Sequence, residues 1–505
     1  MSLHVAPTTG CNLGCTYCYE NPEREAQEDW VQQEYDVDKI LNRLEDWVEM
    51  YPNQVPGLHG GEPLLVRDED LEKIFSFIYH NWGEGGHIQT NATMMTDKHI
   101  EMFKKYGVAV GISCDGPGEL NQHRVAHQGG EEVTARMGDK THEAIKRCRE
   151  AGVSVGIITV LHEANAGTDE RLERLLEWMG ELNEMGVQGH FNPAIPYEDV
   201  QTDISLDPSR LKEVYLRTWE WVKEEEHHYW NPFADYRDNL IGAEVSNCVN
   251  NKCDVMNAGA AKIIKGNGEQ TGCGKTWSGV GDGGAFLQGP SSGNEYDEDE
   301  ERYDILKRTP GPHTEGAPDM GGCKGCKYWN VCTGGCPSAG MNDDHRNRTV
   351  WCEAKYATYE KIESDMRTIM PNITLITDFE WDDNLHDRAS RWELDIEPFA
   401  AMDPSIPGRS SMVGGYSHDR GSPRQRVSNL EEGKVEGSSR SGPQSVEEFQ
   451  EEYDNDVLTL EEGGIHADSG HTDTAPLYPE ENAEGDGSES DGEENEDGWV
   501  QIGGE

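Results

Sequence analysis

Ten of the thirteen cysteines fall into two groups whose spacing could do chemistry. Cys11, Cys15 and Cys18 lie in the stretch CNLGCTYCYE, spaced C-x3-C-x2-C. Three thiolates in one loop suit three corners of an iron-sulfur cubane, and a three-ligand cluster leaves one iron open to a small molecule. Structural zinc commonly takes four ligands as two close pairs, and no His or fourth Cys stands nearby in this segment; a zinc site completed from elsewhere in the fold is the plainer alternative. The second group runs from Cys253 through Cys273 to Cys323, Cys326, Cys332, Cys336 and Cys352, its middle part spaced C-x2-C-x5-C-x3-C. On its own, C-x2-C-x5-C would also suit a zinc ribbon.

The first group must be held by what surrounds it. From residue 2 to about 230, short β-branched runs alternate with amphipathic helical stretches, the pattern of βα units around a parallel sheet. Six strands are predicted: 2–7, 55–59, 87–90, 108–113, 153–161 and 187–195. Between the first two, Ile40, Leu41, Leu44, Trp47, Val48 and Tyr51 share one helical face that should cover the sheet. Six parallel units predict a partial TIM-like (β/α)6 barrel of the α/β class, with functional groups at the carboxyl ends of its strands. Cys11, Cys15 and Cys18 directly follow the first strand, at that end.

The expected domains are a barrel over residues 1–230, a small Cys-rich domain over 231–365, a linker over 366–394 and an acidic, disordered tail over 395–505. A polar insertion around residues 284–304 reads as a surface loop. The formal charge of −54 is spread along the chain: residues 401–505 hold 26 Asp and Glu against 6 Lys and Arg, which leaves −34 for the rest. Such a surface repels nucleic acid and anionic membrane, and it matches a protein of a salty cytoplasm, where screening permits self-repulsion. The start, MSLHVAPTTG, lacks the pattern of a signal peptide, and no apolar run is long enough to span a bilayer. Reduced thiols and a cytoplasmic location are therefore expected.

C-x3-C-x2-C with Tyr17 before the last cysteine resembles the signature of radical S-adenosylmethionine (SAM) enzymes. The resemblance implies a 4Fe-4S cluster on Cys11, Cys15 and Cys18 whose open iron chelates SAM, with Tyr17 near the adenine. It further implies reductive cleavage of SAM to a 5′-deoxyadenosyl radical that abstracts hydrogen. Gly60, Gly61, Glu62 and Pro63 match the family's GGEP turn, where backbone and carboxylate meet the SAM ammonium. TNAT, residues 90–93, resembles its TNG element, with Ala92 in place of Gly. GISCDGPGELNQHR, residues 111–124, resembles a segment of the SPASM branch and implies SAM contacts from Ser113 and Arg124; Asn121 stands where members often carry His. Asp115, in the DGP stretch, reads locally as turn chemistry. Ile195 ends the sixth strand, where relatives place an apolar residue over the adenine; a barrel-core role is the alternative.

The seven later cysteines resemble the SPASM domain of peptide and protein maturases. That implies two auxiliary 4Fe-4S clusters, the first on Cys253, Cys273 and Cys336, the second on Cys323, Cys326, Cys332 and Cys352. Sulfatase-maturating members carry a further cysteine and a basic Asp where this chain has Gly279 and Gly274, so their formylglycine route is not expected here. The first auxiliary cluster would keep an open iron or recruit Cys248. Cys114 and Cys148 read as small core residues.

The implied activity is that of a radical SAM oxidoreductase acting on a peptide or protein side chain, served by a low-potential donor such as ferredoxin or flavodoxin. With the motif starting at residue 11, no N-terminal recognition module is expected. A radical SAM enzyme of small molecules, and a non-catalytic iron-sulfur scaffold with an interaction tail, are the alternatives.

Overall fold

The computed structural model describes residues 2–21, 34–195, 204–224, 230–242, 261–272 and 302–378. All of these fall in the first of two compact units, residues 1–434. Cys248, Cys253, Cys273, Gly274, Gly279, most of the polar insertion and the tail lie outside the described residues.

The six predicted strands form as β1 (Ser2–Ala6), β2 (Gly57–Leu58), β3 (His87–Thr90), β4 (Ala109–Ser113), β5 (Val155–Leu161) and β6 (Gln188–Pro193). Each pairs in parallel with the next, in chain order. The sheet extends beyond them. β7 (Trp230–Asn231) continues it past β6, while β8 (Ala261–Lys265) pairs in parallel with β1 and carries β9 (Gln270–Thr271) antiparallel on its outer side. The sheet therefore extends past residue 230, the expected end of the barrel, because AKIIK supplies Ile264, fully buried, to the sheet on the far side of β1.

Eleven helices accompany the sheet among the described residues: α1 (Val37–Met50), α2 (Asp68–Trp82), α3 (Asp97–Tyr106), α4 (Gly130–Glu150), α5 (Glu163–Ala166), α6 (Asp169–Glu184), α7 (Pro208–Glu224), α8 (Phe233–Leu240), α9 (Arg302–Arg308), α10 (Trp329–Cys332) and α11 (Cys352–Ile369). The Asp36 side chain caps α1 through the Lys39 amide, and Ile40, Leu44 and Trp47 of α1 are buried as its periodicity predicts. Trp47 Nε1 donates to Gln270 at 2.8 Å, tying α1 to β9.

α11 packs along α7, where Trp219 Nε1 donates to Asp365 at 2.8 Å, and against α8, where the Tyr236 and Tyr359 rings lie 4.4 Å apart. One continuous apolar core thus runs from Leu3 and Val5 of the sheet to Tyr328, Val331 and Tyr359 of the Cys-rich part. Cys114 and Cys148 are fully buried in that core. Among the described residues, no helix is long and apolar enough to cross a membrane.

Candidate active site

Four loops at the carboxyl ends of β1 to β4 interlock through hydrogen bonds. The Cys loop after β1 runs antiparallel to the segment after β4: Gly14 N–H donates to Val125 O at 2.9 Å and Thr16 N–H to His123 O at 3.0 Å, around a bridge between Leu13 and Ala126. This pairing brings Arg124 beside Tyr17. The GGEP turn after β2 meets the start of the same loop, with Gly61 N–H on Thr8 O at 2.9 Å and Glu62 N–H on Gly10 O at 2.7 Å. Gly60 has φ of +127°, and a Cβ there would lie 2.5 Å from Thr8 O. These glycines are required by backbone running against backbone.

Cys11 and Cys15 are buried and Cys18 half-buried, and Leu13, Tyr17 and Met137 pack around them. The Leu13 N–H lies 3.4 Å and the Asn91 Nδ2 3.8 Å from the Cys11 sulfur. Hydrogen bonds to cluster sulfurs are one lever on a cluster's potential. Asn91 Nδ2 also donates to Asn12 Oδ1 at 2.9 Å, locking the loop after β3 onto the Cys loop. Neither asparagine is flagged by the sequence pattern, although Asn91 lies within TNAT.

Glu62 is completely buried, and its carboxylate accepts from Thr90 Oγ1 at 2.6 Å, Asn91 N–H at 2.7 Å and Leu64 N–H at 3.0 Å. Burial raises its pKa, against the lowering effect of these donors. Its observed work is to tie the GGEP turn to the end of β3. Ser113 closes β4 and accepts from Gln89 Nε2 at 2.7 Å. Ile195, just past β6, is buried within the main core.

Ala92 adopts φ of +58°, a left-handed conformation that explains why a glycine suits this place. A left-handed Ala costs about 1–2 kcal/mol, an expense that Gly avoids while adding roughly 0.4–1 kcal/mol of unfolded-chain entropy. Ala92→Gly is thus expected to leave stability within about 1 kcal/mol. Ala92→Val, β-branched and only 1% exposed in the parent, is expected to cost more than about 2 kcal/mol in denaturant midpoint measurements.

Asp115 has far more to do than hold a turn. It is fully buried; Oδ1 accepts the Val160 N–H at 2.9 Å, Oδ2 accepts the Tyr17 phenol, and His162 Nε2 lies 3.5 Å from Oδ2. Burial alone would raise its pKa, but His162, Arg124 and Tyr17 outweigh it and hold the carboxyl below the usual range. Arg124 Nη1 donates to Tyr17 Oη at 2.8 Å. Burial works against the charge of Arg124, yet Tyr17, Cys15 and Asp115 prevail and keep the guanidinium protonated. Asn121 is explained as well: its Oδ1 accepts the Asp115 N–H at 2.9 Å.

One layer across the sheet is built of small and polar residues. Gln89, Gly111, Gly156 and Gln188 stand in register across β3 to β6. A closed barrel fills such layers with branched apolar side chains. Here the Gln89 side chain donates to Ser113 Oγ at 2.7 Å and lies over Gly111, where an added Cβ would fall within the van der Waals shell of Gln89 Oε1.

In the Cys-rich part, Cys323, Cys326, Cys332 and Cys352 line one small cavity of about 20 Å³, walled by Tyr328, Trp329 and Tyr359. Among the described residues, no three His, Cys, Asp or Glu side chains converge on a single ion-sized position. Burial first, and then the neighbouring thiols, push Cys326 up to about 12. Burial likewise takes Cys352 to about 11, with Arg348 opposing. Such thiols ionise when iron displaces their protons, so the donor set fits a thiolate-held cluster. Arg348 and Lys355 also line the cavity and offset the thiolate charge. The buried Arg302 holds the framework by donating to the carbonyls of His345, Thr333, Gly334 and Asn347. Cys336 is not among the lining residues; its sulfur lies 2.9 Å from Ser338 Oγ. The resemblance assigns it to the other auxiliary cluster, whose remaining ligands lie outside the described residues.

Residues 5–179, about a third of the chain, match the model of the Radical SAM superfamily. Members of that superfamily use a 4Fe-4S cluster and SAM. An uncharacterized protein of Archaeoglobus fulgidus is 36% identical over 118 residues, 23% of this chain and 26% of that protein. The serine-type anaerobic sulfatase-maturating enzyme of Bacteroides thetaiotaomicron is 27% identical over 169 residues, 31% of this chain and 38% of that enzyme. The chain therefore spans less than half the length of either relative. Native anSMEcpe with bound AdoMet has the same fold, with a TM-score of 0.56 at 18% identity over 74% of this chain and 100% of that one.

Proposed function

We propose that this chain is a radical SAM oxidoreductase that abstracts hydrogen from a peptide or protein side chain, as a step of maturation or crosslinking. The observation that carries this reading is the interlocked Cys loop, in which Cys11, Cys15 and Cys18 stand beside Arg124 and Tyr17 at the carboxyl end of the sheet. When bound there, the cluster and SAM supply a 5′-deoxyadenosyl radical. Cys11, Cys15 and Cys18 would hold the cluster. Gly60, Gly61 and Glu62 shape the turn against it, and Ser113, Arg124, Tyr17 and Ile195 would bind SAM. Likeness to a sulfatase-maturating enzyme supports a protein or peptide substrate.

Cys323, Cys326, Cys332 and Cys352 would hold one auxiliary cluster, and Cys253, Cys273 and Cys336 another, able to accept the substrate's second electron. A low-potential ferredoxin or flavodoxin would supply the separate electron that reduces the cluster held by Cys11, Cys15 and Cys18. The acidic composition supports a salty cytoplasm as the working environment, with the segment from residue 395 as a solvating extension.

The test is to incubate anaerobically loaded protein with SAM, reductant and side-chain-deuterated peptides, and to read deuterium in 5′-deoxyadenosine. Transfer from a peptide supports the reading. Unlabelled 5′-deoxyadenosine with every peptide pool, and transfer only from small molecules, would overturn its substrate class.

A further inference from the structure

We infer that Asp115 is a positioning residue for SAM, setting the direction of the Arg124 guanidinium and the plane of the Tyr17 ring through a single carboxylate. The inference rests on the proposed SAM-binding roles of Tyr17 and Arg124 and adds the group that aims them.

Asp115 is anchored on three sides before it meets Tyr17. Its N–H donates to Asn121 Oδ1 at 2.9 Å, its Oδ1 accepts Val160 N–H at 2.9 Å, and its main-chain carbonyl accepts Asn165 Nδ2 at 3.1 Å. These partners lie in the loop after β4, in β5 and in α5, so the carboxylate is fixed to rigid elements. Its other oxygen, Oδ2, then accepts a hydrogen bond from the Tyr17 hydroxyl. A phenol whose O–H points at a carboxylate must turn its lone pairs elsewhere, and Arg124 Nη1 donates to that oxygen at 2.8 Å. The direction of donation along Arg124, Tyr17 and Asp115 is thereby determined.

Two consequences follow at the cluster mouth. Tyr17 is the only hydrogen-bond partner of the Arg124 guanidinium among the described residues, which leaves the rest of its five-donor fork for the oxygen atoms of a ligand. The Tyr17 ring is pinned at its hydroxyl and stacked on His162, centroids 5.7 Å apart and planes 29° from parallel. His162 is fully buried, and its Nε2 is 3.5 Å from Asp115 Oδ2. His162 therefore backs both the ring and the carboxylate. A local sequence reading misses this because Tyr17, Asp115 and His162 lie on three loops and meet only in the fold.

The test uses the anaerobically reconstituted full chain and SAM itself as probe. Asp115→Asn keeps size and an acceptor for Val160 N–H but loses the anion; Tyr17→Phe removes the bridging hydroxyl. Each is expected to weaken SAM binding about tenfold, the scale of one hydrogen bond to a charged group. Binding is read by equilibrium dialysis and by the change SAM makes in the EPR signal of the reduced cluster. Because both substitutions cut one link, the double variant is expected to bind within about twofold of either single one. Iron content and the SAM-free EPR signal are expected to match the parent, which a purely structural role would not predict. Unchanged affinity in either variant, or losses that multiply to about a hundredfold in the double variant, would overturn the inference. Should Asp115→Asn fail to fold, Tyr17→Phe alone decides it. If the fully loaded parent binds no SAM, the proposed function fails with it, a result distinct from a parent that binds and variants that do not differ.

Discussion

Replacing Gly61 by alanine is expected to cut SAM cleavage by at least about a hundredfold while leaving the barrel folded. An added Cβ at Gly61 would fall within the van der Waals shells of the Gly10 and Thr9 carbonyl groups. Both neighbours are backbone of the Cys loop, so no side chain can swing aside. Either the GGEP turn retreats and Glu62 N–H loses Gly10 O, or the loop moves and takes Cys11 with it. An error of about 1 Å in a reacting constellation is enough for a hundredfold loss. Gly180→Ala is the matched control: it lies inside α6 with nothing within 4 Å of its added Cβ, and it should gain roughly 0.5–1 kcal/mol. Equal activity in the two variants, measured as 5′-deoxyadenosine formed per chain, would show that the contact of turn and Cys loop is dispensable.

Cys15→Ala is expected to remove the first cluster altogether, lowering iron by about four atoms per chain and SAM cleavage to background. Cys15 is buried among Cys11, Leu13 and Met137, with no other thiol of its loop placed to substitute for it. Cys332 and Cys352 of the second group sit on α10 and α11, beside a framework held by Arg302, and this group should keep its iron. Cys148→Ala provides the contrast. That thiol is fully buried in the core, and burial raises its pKa to about 11, so it behaves as a small apolar side chain. Its loss should cost about 1–2 kcal/mol of stability and no iron.

The difference between these two cysteines was legible in the sequence. Spacing marks a loop ligand, while solitary placement in a strand or helix marks core. The six strands and their order were legible for a similar reason, since β-branched runs alternate with one-sided helices over almost the whole front of the chain. β8 was not, because five residues within a Gly- and Cys-rich stretch carry too little periodicity to show that Ile264 packs beside β1. Asp115 was hidden differently. DGP is strong local turn chemistry, and nothing near it in sequence reveals a carboxylate shared by Tyr17, Val160 and His162. Glu62 stood out within the GGEP turn, but its partners Thr90 and Asn91 at the end of β3 did not, since they meet it only in the fold. Ala92 shows the reverse: a substitution in a motif became intelligible once its φ of +58° was known.

The central claim is that Cys11, Cys15 and Cys18 form a deliberately incomplete ligand set that leaves one iron for SAM. The measurement that tests it most directly is 5′-deoxyadenosine formation by the anaerobically reconstituted full chain with SAM and a strong reductant, beside Cys15→Ala prepared in the same way. The account predicts SAM-dependent 5′-deoxyadenosine from the parent and none from Cys15→Ala, with the second cysteine group still loaded in both. A parent with its full complement of iron and sulfide that releases no 5′-deoxyadenosine, with or without peptide, would contradict it.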